Sequence, residues 1–450
     1  MSTKLRTESA ILWRLAGPLI VAQLSQVGMG FTDTVMAGRL SPLDLAAVAI
    51  GSMLLLSVFL LFFGILNSVS PTIAQLKGAG RDRDIGRVFQ QGLWLAGTLG
   101  AISVPATIYS ALLMRWAGTA PDVAELAGSY LFAVAWGMPA TCIFLVARFL
   151  TEGTGNTRPV MYINVFGLGL NALANYAFMF GKFGAPALGA VGCGVATTLV
   201  MWVDLVLVML YLANHKRYHA HRLFYDWRAP QLAAIVSLVR LGTPIALGIM
   251  TEALMFLAVG LLMSRLGAVA MAGHQIAINF ASLSFMVPLS IGMAILIRVG
   301  HLIGAGDAGH AEYSSYVGVG MAGTFMACMA IVIFVVPEAI VRLYTDAAPV
   351  TAIALELLFF AAIFQISDGL NIALLHALRG LKDAFVPMLL GLVSYWLVGF
   401  AAAWYIGIHS GVGPRGLWVG LIAGLSVSCV LVYFRLRVVF SRHRRTAVAA

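Results

Sequence analysis

The stretch ILWRLAGPLIVAQLSQVGMGFTDTVMAG, residues 11–38, decides the fold, because a second stretch, SLVRLGTPIALGIMTEALMFLAVGLLMS at residues 237–264, repeats its opening. Arg14, Leu15 and Pro18 stand 226 positions before Arg240, Leu241 and Pro244. At the same offset Arg39-Leu40 aligns with Arg265-Leu266, and Gly78-Ala79-Gly80 with Gly304-Ala305-Gly306. Gly92, Ala96 and Gly97 align with Gly318, Ala322 and Gly323, and Gly153 and Asn156 face Gly380 and Asp383 one residue further on. Alanines and leucines match by chance in any apolar chain. Arginines, prolines and a Gly-Ala-Gly loop in one ungapped register do not. The chain is therefore a duplication.

Each copy is a membrane unit. Of the 450 residues 61% are hydrophobic and only 10% charged, against about 25% charged in a soluble globular chain. Apolar runs long enough to cross a bilayer recur throughout. Twelve are marked off, at about 11–38, 44–76, 88–114, 122–149, 158–181, 187–213, 231–263, 269–302, 313–336, 349–377, 384–408 and 414–438. The first is too long for a signal-peptide core and has no small-residue cleavage site, so it is expected to be retained. The expected fold is an all-α integral membrane protein. Twelve transmembrane helices form two homologous six-helix bundles related by a pseudo-two-fold axis along the membrane normal. The expected division is 1–213, a cytoplasmic basic linker 214–230, and 231–450.

The net charge of +10 reads as the positive-inside bias and gives no reason to expect nucleic acid as a partner. With both termini in the cytoplasm, 22 of the 28 Lys and Arg fall inside, leaving Arg39, Arg115, Lys182, Arg265, Arg342 and Arg415 outside. Cys142, Cys193, Cys328 and Cys429 are dispersed in apolar runs and suggest neither disulfides nor a metal site. The Gly318–Gly323 segment matches G-x-G-x-x-G but lies inside an apolar run with no preceding strand, so a nucleotide reading fails. No Walker motif is present. His215, His219 and His221 lie in a basic loop that does not favour metal. His274 and His376 are read as packed, hydrogen-bonded residues ahead of proton relays.

Three carboxylates stand deep in apolar segments: Asp33, Glu252 and Asp368. Each costs about 2.5–3.5 kcal/mol at a helix centre on the insertion scale, so they are expected to line a polar interior. Asp33 shares a helical face with Gln23, Gln26 and Gly30, and Asp368 with Gln365 and Asn371. Counted from their inner ends, Glu252 and Asp368 come within about 5 Å of one depth and are expected to share a cation site. Asn171 and Asn175, one turn apart, either complete a polar pocket with Asp33 or join helices by hydrogen bonds. Gln26, Gln275, Asn171, Asn175 and Asn371 make up the expected secondary polar set. Asp204 and Glu356 lie nearer segment ends and are read as structural. A cavity carboxylate binds a proton or Na+ and also attracts a cationic substrate, and that competition is the chemistry of cation-coupled antiport.

Thr32-Asp33-Thr34-Val35-Met36-Ala37-Gly38, followed by Leu45-Ala46-Ala47-Val48-Ala49, resembles the first-span signature of the multidrug and toxic compound extrusion (MATE) transporters. Pro244 to Glu252, Ala272-Gly-His-Gln-Ile-Ala-Ile-Asn279 and Leu378-Arg-Gly-Leu-Lys-Asp383 resemble further motifs of the family, and the likeness leans to its NorM-type bacterial branch. The resemblance implies a monomeric inner-membrane exporter of cationic and amphipathic drugs and dyes, coupled to Na+ or H+, with no cofactor and no enzymatic activity. It also implies that Glu252 and Asp368 form the cation site of the C-terminal half and Asp33 the acid of the N-terminal half. Phe364 departs from the tyrosine that some sodium-coupled members carry one turn before the aspartate. A flippase for a lipid-linked anionic precursor is the alternative, which calls for a basic cavity where this chain has acids.

The topology has a direct test. Green fluorescent protein fused after Ala450 is expected to fluoresce, and alkaline phosphatase fused after Lys182 to be active. Phosphatase activity at the C-terminus overturns the orientation.

Overall fold

A computed structural model describes residues 3–449 other than 117 and 226. Its long apolar helices are α1 Thr3–Gly38, α2 Pro42–Gly78, α3 Asp82–Met114, α4 Pro121–Gly153, α5 Arg158–Phe180, α6 Ala190–Asn214, α7 Leu232–Ser264, α8 Ala268–Gly304, α9 Ala308–Val335, α10 Ala348–Gly380, α11 Phe385–His409 and α12 Pro414–Arg444. Eleven are each long and apolar enough to span a membrane, and α4 makes the twelfth as a pair of helices bent by 48°. Leu173, Val335 and Leu397 are more than three-fifths exposed, as lipid-facing side chains are. The side chain of Arg115, one of the six cations assigned to the outer face, lies outside the described residues.

The bend in α4 follows from its sequence. Gly137 leaves room for α6, since a Cβ there would sit 3.1 Å from the Thr198 Cα, and Pro139 has no N–H to continue the ladder. The carbonyls this frees need donors. Thr198 Oγ1 donates to the Ala133 carbonyl at 2.9 Å and Trp202 Nε1 to the Trp136 carbonyl at 3.1 Å. At the start of α2, Ser41 accepts from the Asp44 amide at 3.0 Å, and Asp44 accepts from the Ala190 amide at 2.7 Å, so one carboxylate also caps α6.

The chain folds into two compact units, one of Val21–Ala246, the other of Met1–Ile20 with Leu247–Ala450. The cuts fall inside α1 and α7 at equivalent repeat positions, two residues after Pro18 and Pro244. Leu12 and Ala16 are core residues of the second unit, packed with Ile291, Ala294 and Ile295, whereas Leu238 belongs to the core of the first. The compact units thus differ from the repeat halves of the sequence. Nor is 214–230 a free tether. Gln90 donates to the carbonyls of Leu223 and Tyr225, Gln91 donates to Ala229 and accepts from the Gln231 amide, and Trp94 donates to Arg228, all from α3.

Within each unit the repeat reappears as packing. A Cβ on Gly153 would lie 2.9 Å from the Ser70 carbonyl and 2.9 Å from Ile73; one on Gly380 would lie 2.9 Å from the Leu296 carbonyl and 3.1 Å from Val299. Those neighbours are themselves 226 apart. Gly80 and Gly306 both turn with positive φ, at 68° and 82°.

Two buried acids have partners that hydropathy does not reveal. Glu152 accepts from Arg148 Nε at 2.6 Å, both within α4, and Arg148 also donates to Gln23 at 3.1 Å. Glu8 accepts from Arg298 at 2.7 and 3.1 Å and meets His310 at 3.0 Å. Arg148→Met is expected to cost about 3–5 kcal/mol by leaving Glu152 unpaired. Most of that returns in the Arg148→Met/Glu152→Leu double variant. Denaturant unfolding in detergent reads both.

Candidate functional site

Each unit contains one acidic site. In the first, α1 brings Asp33 against α5. The Asp33 carboxylate is buried and accepts from Asn171 Nδ2 at 3.1 Å and Asn175 Nδ2 at 2.6 Å, while Asn175 also donates to Asn171 Oδ1 at 3.2 Å. The Cys193 thiol lies beside the same carboxylate. Two amide donors on an ionised carboxylate make charge-assisted bonds, about twice the strength of neutral ones. Asn171 and Asn175 stand together on Asp33, and the same two bonds join α5 to α1. Asn175 Oδ1 has no hydrogen-bond partner among the described residues.

In the second unit, α7 and α10 bring Glu252 within electrostatic reach of Asp368. Asp368 is buried and Glu252 half-buried. Arg379, three turns further along α10, and the Tyr395 hydroxyl from α11 lie in the same field. Around them a polar lattice closes. Asn371 Nδ2 donates to Tyr395 at 2.9 Å, Ser428 Oγ donates to Asn371 Oδ1 at 3.1 Å, and Ser284 Oγ donates to Gln365 Oε1 at 3.2 Å. Tyr395 sits where α11 is wound as a π-helix, Val393–Phe400, a widened turn often found at functional positions. Phe364 packs edge-on to Phe256 and Trp418, each at 5.8 Å, so the hydroxyl near the acids comes from Tyr395 instead.

Two neighbouring carboxylates repel, and a proton or a monovalent cation taken up by either relieves the repulsion. Oxygen donors from Glu252, Asp368, Tyr395 and Asn371 suit a hard cation. Arg379 supplies a positive charge that offsets part of the acid pair.

The remaining expected residues fall as follows. Gln26 is half-buried on α1, and its neighbour Gln23 is engaged by Arg148. Gln275 is exposed on α8 and joins neither network. Asn371 is inside the α10 lattice. His376 is buried, its Nδ1 on the Ile372 carbonyl at 2.8 Å and its Nε2 accepting from Arg379 at 3.3 Å. Glu356 pairs with Arg415 at 2.9 Å. Among the described residues no group of three or more His, Cys, Asp or Glu is arranged to hold a metal ion. Sequence reasoning missed Arg379 and Tyr395. The eleven-residue step from Asp368 to Arg379 keeps one helical face, a signal that was available; the approach of Tyr395 from another helix had none.

A family model described as MatE matches this chain twice, over residues 18–177 and 244–405. The chain is 38% identical over 438 residues to the probable multidrug resistance protein NorM of Idiomarina loihiensis, covering 96% of this chain and 95% of that one. It is also 38% identical over 438 residues to the multidrug resistance protein PmpM of Pseudomonas aeruginosa, covering 96% and 92%. In three dimensions it superposes on an outward-facing multidrug resistance MATE family transporter of the MOP superfamily with a TM-score of 0.89, at 20% identity over 97% of this chain and 96% of that one. The eukaryotic MATE transporter AtDTX14 gives a TM-score of 0.88 at 19% identity, over 98% and 99%.

The pairing of Asp33 with Asn175 has an energetic test. A double-mutant cycle of Asp33→Leu with Asn175→Leu is expected to return a coupling of about 1–3 kcal/mol. Additive losses in denaturant unfolding would show that the 2.6 Å bond contributes nothing.

Proposed function

The chain belongs to the MatE family, and from that premise we propose that it is a secondary active multidrug exporter of a bacterial inner membrane. It exchanges cationic and amphipathic drugs and dyes for Na+ or H+ by alternating access. The observation that carries this reading is the pair of half-satisfied acids. Glu252 lies within electrostatic reach of Asp368 and of Arg379, which offsets part of its charge, so the site takes up one positive charge readily. Asp33, held by two amides and by no cation among the described residues, is the second such site. A bound proton or Na+ and a bound cationic drug compete for these carboxylates. Entry of the coupling ion therefore favours release of the drug, and the membrane potential adds about 2.3 kcal/mol per charge per 100 mV. Both termini are cytoplasmic, as the distribution of Lys and Arg supports. Membrane lipid is the solvent of the apolar helix faces, and the monomer contains both sites.

Reconstituted protein is expected to export dye from proteoliposomes when a Na+ gradient or a pH gradient is imposed, and the two gradients applied separately identify the ion. Asp368→Asn and Glu252→Gln are expected to lower the rate by about tenfold or more, with unchanged amounts of folded protein. Wild-type rates in both variants would remove the acid pair from the mechanism.

A further inference from the structure

Asp204, on α6, is a buried carboxylate that neither acidic site uses. It is 7% exposed, and its Oδ1 has no hydrogen-bond partner among the described residues. It stands about ten residues from the Asn214 end of α6, roughly 15 Å along the helix, well inside the apolar span. Its space is made by α5, because a Cβ on Gly167 would lie 3.1 Å from Asp204 Oδ1 and 3.2 Å from Oδ2. Among the described residues no ion-pair partner faces it from α5, from α2 and α4, or from the short helix Lys216–His221, all of which pack on α6. Of the charged groups of α4, Arg148 and Glu152 are engaged with each other, and Asp122 and Glu125 stand at its Pro121 end.

Gly167 is one member of a row. Asn164, Gly167, Asn171 and Asn175 recur at three- and four-residue steps on one buried face of α5. The far end of the row holds Asp33 through Asn171 and Asn175. Along it stand three buried polar atoms without hydrogen-bond partners among the described residues: Asn175 Oδ1, Asp204 Oδ1 and Asn164 Nδ2. Buried polar groups in native proteins are hydrogen-bonded, and where protein supplies no partner, water does. At the other end, a cleft of about 560 Å³ between α5 and α6 begins among Arg158, Tyr211 and Arg217 and reaches Phe166 and Leu207. Those two lie within one helical turn of Gly167 and Asp204.

We propose that Asp204 is a proton-exchange group that joins Asp33 to the basic cleft through water held along the Asn164–Asn175 face of α5. The O–H bond of protonated Asp33 breaks and its proton passes to water; a proton from that water chain forms the O–H bond of Asp204. Asp204 then releases its proton to water in the cleft and returns to the carboxylate, so charge and atoms balance over the cycle. The asparagines orient water and carry no proton themselves. The inference rests on the antiport reading above and narrows it, in this bundle, to H+.

Asp204→Asn keeps size and burial but cannot ionise. In purified full-length protein it is expected to bind dye as the wild type does at equilibrium, and in proteoliposomes to lose about tenfold or more of pH-gradient-driven efflux. Asp204→Glu is expected to restore most of the rate. Infrared difference spectra across a pH titration are expected to contain a protonated-carboxyl band that Asp204→Asn lacks. Wild-type efflux in Asp204→Asn, or an unchanged band, overturns the proposal, as does wild-type exchange driven by Na+ alone. Wild-type vesicles that move no dye under either gradient would instead defeat the antiport reading, with the infrared band still deciding Asp204.

Discussion

An ionised side chain in hydrocarbon has no water to solvate it, so the chain that carries it inward must supply the compensation. The buried acids of this protein divide by how completely that is done. Glu152 has an arginine one turn away, and Glu8 has an arginine and a histidine. These are finished pairs: the first lies within α4, and the second ties α1 to α8 and α9. Asp33 is given amides, which stabilise a carboxylate without neutralising it. Glu252 and Asp368 are given each other, with Arg379 offsetting part of their charge. Incomplete neutralisation is costly for stability and is the property a cation-exchanging site needs.

Much of the scaffold was legible in the residues alone. Spans follow from hydropathy because a bilayer admits only helices with internally satisfied backbone. The duplication was legible because arginine, proline and turn glycines cannot be exchanged freely, and the structure returns it as matched contacts, Gly153 on Ser70 and Gly380 on Leu296. The deep acids stood out by their insertion cost. What the chain order hid is what three-dimensional packing decides. Glu8 and Glu152 sat too near segment ends to look unusual, although the i, i+4 spacing of Arg148 and Glu152 was a signal. The clamp of Gln90 and Gln91 on the 223–231 segment had no local signature, because its acceptors are backbone carbonyls. The unit boundaries were hidden for the same reason. A helix that serves two cores looks continuous in sequence.

The two units share a scaffold and differ in their chemistry. Equivalent glycines are kept where backbones must approach, whereas the acids occupy non-equivalent positions: Glu252 stands opposite Gln26, and Asp33 opposite Val259. Close packing admits little change after duplication. A polar side chain held by hydrogen bonds admits more, because its partners can change with it. Divergence of the acids with retention of the frame is what that difference in tolerance produces.

The division of α1 and α7 also bears on how the molecule is made. Ribosomes deliver the chain from its N-terminus, and the first segment, Met1–Ile20, has its packing partners among Leu247–Ala450. That segment must therefore wait, threaded but unpacked, until more than half of the protein has been inserted. The unit Val21–Ala246 closes only when the opening turns of α7 arrive. The core that holds Leu12 and Ala16 also takes Val432, Leu436 and Phe440, so the earliest helix is packed in full only after the latest has arrived.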